Sequence, residues 1–186
     1  EPEDFALVKD IAPTSQKEAQ AFCDESSGDR RSACYRESWP LYIDELLTGP
    51  GIERFCSLVP DKVSEKRCYN GIFYMLTARF EFKEDRILEM CNGLSGKRKA
   101  QCFGNAASRF METDYRLIPK AIALCAIAEK EGVGARCYDE LLFYSSFNFH
   151  KESEALKILC ESLPQPWGTQ CTNGEGGSVN PSKNDF

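Results

Sequence analysis

Histidine is almost missing from this chain: among 186 residues only His150 occurs. That scarcity removes Cys–His nucleophilic catalysis, which needs an imidazole beside a thiol, and the mixed Cys/His zinc sites. Zinc sites built on cysteine alone use close steps such as C-x2-C, and the chain has none. The Walker loop, the nucleophile elbow and the dinucleotide fingerprint are missing too. No asparagine opens a usable N-x-Ser/Thr acceptor, since Asn180-Pro181-Ser182 carries the excluded proline. Basic charge is not in excess: 23 Lys and Arg face 29 Asp and Glu, for a net charge of −6. A nucleic-acid surface needs clustered cations to neutralise phosphates, so no nucleic-acid partner is expected. The many carboxylates read as solvated helix faces rather than as glycosidase pairs. No apolar run approaches the roughly 18 residues of a membrane-spanning helix. The expectation is a chain without catalytic residues, metal site or cofactor.

What the chain does have is cysteine in five pairs: Cys23/Cys34, Cys56/Cys68, Cys91/Cys102, Cys125/Cys137 and Cys160/Cys171. The step within a pair is 11 or 12 residues, and successive first members are 33, 35, 34 and 35 apart. Self-similarity at such a period marks an array of supersecondary units. Ten evenly paired thiols belong in an oxidising compartment. With Glu1 in place of a Met and no signal peptide, the sequence reads as an exported, mature form. Hydrophobic residues at 42% and aromatics at 11% exclude a disordered chain.

Other side chains keep step with the cysteines. An apolar residue precedes each first cysteine (Phe22, Phe55, Met90, Leu124, Leu159), and an aromatic follows four of the second ones (Tyr35, Tyr69, Phe103, Tyr138). Between the members of each pair lie breakers: Ser27-Gly28, Pro60, Ser95-Gly96, Gly132 and Gly134, then Pro164, Pro166 and Gly168. Each interval therefore reads as a turn between two helices, with one cysteine on either side. The first helix of a hairpin is short, as over 15–25 and 151–163, and Ser15 with Glu18 has the spacing of a capping box. Pro50 and Pro119 suit a first helical turn, where no N–H is needed; Pro60 and Pro164 are placed to end helices. The second helix is longer: Cys68, Ile72, Leu76 and Phe80 share one face, as do Cys137, Leu141 and Tyr144. Trp39-Pro40 falls inside the first of these longer helices and is expected to bend it. Antiparallel helices on a short turn hold paired cysteines within the ~7 Å Cα separation a bridge allows, so each pair should close on itself. The four aromatics in phase are expected in the core between helices. Lys97, Arg98 and Lys99 are expected at a solvated helix start, and His150 at the surface near the fifth hairpin.

A helical hairpin of about 34 residues, repeated in tandem over 14–171, resembles the tetratricopeptide-repeat class in period and layout. That resemblance implies an all-α fold: a right-handed α-solenoid of about five hairpins, here with one disulfide per hairpin. The Trp, Leu-Gly and Tyr pattern of the class is absent, and the cysteine pairs stand in its place.

The ends of the array differ from its middle. Residues 1–13 form an N-terminal segment with Phe5, Leu7, Val8 and Ile11 ahead of Pro13, and residues 172–186 form a Gly-, Ser- and Asn-rich tail. The run Thr172-Asn173-Gly174-Glu175-Gly176-Gly177 allows no second helix after Cys171, which would leave the first helix of the fifth hairpin, with Ala155, Leu156, Ile158 and Leu159, without its partner. The N-terminal segment of one copy suits the missing helix of the next, and a head-to-tail contact that does not close gives an open filament. The expected function is a non-enzymatic, extracellular or cell-surface fibre whose partners are copies of itself, with O-linked glycans open on exposed Ser and Thr. Such a subunit would be similar to the tetratricopeptide-like proteins of extracellular bacterial fibres. The alternative is a secreted or periplasmic monomer that binds another protein along a concave repeat face.

Overall fold

A computed structural model describes residues 15–174, which hold eleven α-helices and two short 3-10 turns, and no strand among the described residues. The helices follow in cross-linked pairs. They are α1 (Gln16–Asp24) with α2 (Gly28–Glu37), α4 (Gly49–Cys56) with α5 (Lys62–Arg79), and α6 (Glu84–Asn92) with α7 (Gly96–Thr113). Two more follow: α8 (Ile118–Lys130) with α9 (Gly134–Asn148), and α10 (Glu154–Ser162) with α11 (Trp167–Thr172). The four-residue α3 (Ile43–Leu46) lies between the first two pairs. All five expected bridges are present, Cys23–Cys34, Cys56–Cys68, Cys91–Cys102, Cys125–Cys137 and Cys160–Cys171. Their Cα separations run from 5.2 to 5.7 Å, each joining the first helix of a pair to the second. Closing a loop of about a dozen residues removes unfolded-state entropy worth on the order of 3 kcal/mol per bridge. The described residues form two compact units, divided inside α5 between Ile72 and Phe73.

Within the first unit, Ser15 caps α1 by accepting the Glu18 N–H at 3.2 Å. Gln16 donates its side-chain amide to the Leu41 carbonyl at 3.0 Å and to Glu45 at 2.8 Å, which ties α1 to the turn around α3. The Trp39-Pro40 pair does more than bend a helix: α2 stops at Glu37, a 3-10 turn covers Trp39–Tyr42, and α3 follows. Pro40 has no N–H for the Arg36 carbonyl and its ring crowds the preceding turn, so the helix ends there. Pro50 sits in the first turn of α4, where Thr48 caps the Gly51 N–H at 3.2 Å. Asp61 accepts the Ser64 N–H and the Ser32 hydroxyl, each at 2.8 Å, and these hydrogen bonds hold its carboxyl down at about 2.

In the second unit α7 is the longest element, and it buries Cys102, Phe103, Ala106, Ala107, Phe110 and Met111. It packs on α8 and α9; α8 in turn packs on α9 and α10, and α9 on α11. Two buried polar groups are answered locally: Asn105 donates to the Gln101 carbonyl at 3.0 Å, and Arg136 meets Glu140 at 2.9 Å. Lys97, Arg98 and Lys99 occupy the first turn of α7, and Lys99 reaches Glu131 at 2.7 Å. Tyr35, Tyr69, Phe103 and Tyr138 are all buried, as their shared phase suggests. Among the described residues, no helix is long and apolar enough to cross a membrane.

Candidate functional site

A groove of about 710 Å³ runs along α10 to the end of α11. Leu156 and Ile158 give it apolar surface; Lys151, Lys157, Glu152, Glu154 and Glu161 supply charges of both signs; and Cys160 and Cys171 line it as well. Its origin is local. Ser153 caps α10 by accepting the Leu156 N–H at 3.2 Å, which sets the phase of the helix. Leu156, Leu159 and Leu163 then recur at helical spacing on one stripe. Leu159 and Leu163 are buried, whereas Leu156 is only partly covered.

A second helix does cover this stripe in part. Contrary to the expectation of none, α11 forms before Cys171 and ends at Thr172. Trp167 anchors it: the indole N–H donates to Asp139 at 2.9 Å, and the ring lies 4.6 Å from that of Tyr138. Gly168 lets the two helices meet closely, because a Cβ there would stand 2.9 Å from the Leu163 carbonyl oxygen and 3.2 Å from that of Cys160. With only six residues, α11 makes less than two turns. The cover is real but short.

The residues expected to mediate assembly are thus separated. Leu156 lines the groove, while Leu159 is fully buried and belongs to the interior of the α10–α11 pair. Phe5, Leu7, Val8 and Ile11 lie outside the described residues. Ile158, expected on the uncovered helix, lines the groove as well, and Lys157 does so without having been singled out by sequence; its only signal is its place beside Leu156. His150 is exposed near the start of α10, and its Nδ1 accepts the Glu152 N–H at 3.3 Å, a local turn contact.

A second polar cluster lies in the same unit. The Arg109 guanidinium sits 3.8 Å from the centre of the Tyr74 ring and also donates to its hydroxyl. Asn148 donates to Glu112 at 3.3 Å. Burial pushes the Glu112 carboxyl above its usual range, with Arg109, Asn148 and Tyr74 pulling it back. Burial, with Glu140 adding to it, pushes the Tyr144 phenol up to about 12. The Arg109–Tyr74 and Asn148–Glu112 hydrogen bonds lie within this cluster, and the second joins α7 to α9. Among the described residues, no group of three or more His, Cys, Asp or Glu stands together as a metal site.

The chain matches no model of a known protein family, and no characterised protein or solved structure proves similar to it. Five disulfides are the chemistry of an oxidising compartment, which places the chain among secreted proteins.

Proposed function

We propose that this chain is a non-enzymatic structural protein of the cell exterior. In this reading its disulfide-stapled hairpins stack as a right-handed, tetratricopeptide-like α-solenoid. Copies join head-to-tail, residues 1–13 of one filling the groove along α10 of the next. The observation that carries the proposal is the groove itself, where a six-residue α11 leaves the Leu156 end of an apolar stripe open. The order of packing supports the stacking: α10 lies on α8 and α11 on α9, first helix on first and second on second. The proposed occupant has the matching chemistry. Phe5, Val8 and Ile11 recur three apart, the spacing of one helical face, and Glu1, Glu3 and Asp4 precede them as partners for Lys151 and Lys157. A contact between two different surfaces does not close on itself in a dimer, so it propagates into a filament unless its rotation makes a ring.

Negative-stain electron microscopy of the purified chain tests this. Filaments are expected from the full chain, and soluble monomers after deletion of residues 1–13. Filaments that persist after the deletion would refute the mechanism. A full-length chain that stays monomeric at high concentration would favour a secreted protein-binding module instead.

A further inference from the structure

We propose that the Cys160–Cys171 bridge is a redox latch on the assembly groove, a claim that rests on reading the groove as the seat of a second copy. In the other four bridges both cysteines are at most 4% exposed. Cys160 is only partly buried, and it lines the groove together with Cys171. Thiol–disulfide exchange needs access of a thiolate to a sulfur, so a small external thiol meets this bridge first. The reaction balances with two such thiols. The first thiolate attacks the Cys160 sulfur, forming a mixed disulfide and releasing the Cys171 thiolate, which takes a proton from solvent. The second attacks the mixed disulfide and releases the Cys160 thiolate; the small thiol leaves as its own disulfide, and the protein bridge is reduced to two thiols.

The consequence follows from the length of α11. A helix of six residues is far below the size that persists alone in water. Trp167 fastens its start to α9 through Asp139 and Tyr138, and Cys171 fastens its end to α10. Cutting the bridge frees the end that lines the groove while leaving the start held. By contrast α7, with 18 residues, and α9, with 15, have long buried faces that do not depend on one fastening. Occupancy and opening are then linked: a chain segment seated in the groove covers the bond and slows its reduction, and reduction in turn expels the segment.

The test uses the full chain, free and as filaments, treated with graded dithiothreitol, alkylated with iodoacetamide and peptide-mapped. In the free chain Cys160 and Cys171 should be labelled about tenfold sooner than any other pair. In filaments that lead should vanish. Simultaneous reduction of all five bridges, an earlier reduction of another, or equal rates for the fifth bridge in both states overturns the latch. The variant Cys160→Ser with Cys171→Ser should keep its helical circular dichroism and lose assembly; a variant that still assembles also overturns it. A chain that forms no filaments under any condition removes the assembly reading alone, and early labelling of Cys160 and Cys171 in that sample still supports an exposed, separately reducible bond.

Discussion

In the fourth cross-linked pair the second helix runs 15 residues, Gly134–Asn148; in the fifth it runs six, Trp167–Thr172. The two pairs start alike. Each places a glycine three residues before its second cysteine, Gly134 and Gly168, where that helix crosses closely over the end of the first. After the cysteine they diverge. α9 continues for nearly three turns beyond Cys137, burying Leu141, Leu142 and Ser145 and receiving α11 on its surface. α11 ends one residue past Cys171. The second helix of the fourth pair therefore has two tasks: its first turns close its own pair through the bridge, and its later turns cover the next pair. The fifth pair keeps the first task and drops the second, and the groove beside Leu156 is the result.

The largest effects should come from the long second helices. Phe103→Ala removes a fully buried ring from α7 and should cost about 3–5 kcal/mol in urea unfolding. Leu156→Ala, at the half-covered end of α10, should cost about 1 kcal/mol or less yet abolish filaments. Equal stability losses at the two sites would erase the contrast between the two pairs. Next come the bridges. Replacing Cys125 and Cys137 with alanine should lower global stability by about 3 kcal/mol. The Cys160–Cys171 bridge closes a loop of similar length, but replacing these two cysteines should release α11 locally, so hydrogen exchange accelerates in 167–172 before the main transition moves.

The glycines sharpen the comparison further. A Cβ on Gly134 would stand 2.5 Å from Glu129 Cα, and backbone has to yield, so Gly134→Ala should cost about 1–3 kcal/mol in thermal unfolding. At Gly168 the tightest contact is 2.9 Å to a carbonyl oxygen of the short pair, and the alanine should cost less than at Gly134. The smallest effect lies in the first unit. Asp61 has its folded carboxyl held at about 2, below the ordinary value of the unfolded chain, by Ser64 and Ser32. Its contribution is thus complete above about pH 4 and lost as pH falls through about 2. Thermal melts of Asp61→Asn and the parent chain across that window should converge toward the acid end.

How much of this is legible in the residues differs along the chain. Bridge pairing is readable because breakers such as Gly132 and Gly134 between Cys125 and Cys137 force a turn that returns the second cysteine to the first. Pro50 and Pro119 mark helix starts because a first turn needs no N–H from them. The 3-10 break at Trp39–Tyr42 is less readable, since a proline inside a helix either bends or ends it according to what packs around it. At the last pair, periodicity identifies Leu156, Leu159 and Leu163 as one stripe, but it does not say how far along the stripe a cover reaches. Trp167 and Gly168 lie within the turn-like run after Pro164, and their helix becomes legible only once Asp139 and Tyr138 are seen beneath the indole.

The most direct test of the central claim is a photo-crosslink from the groove. Lys157, exposed on the groove wall, would be replaced with a benzophenone-bearing phenylalanine in chains mixed from light and heavy isotopes. Irradiated filaments should yield a crosslinked peptide joining the position of Lys157 to residues 1–13 of a chain of the other isotope. Crosslinks confined to one isotope, or to any other segment, would contradict head-to-tail assembly through this groove.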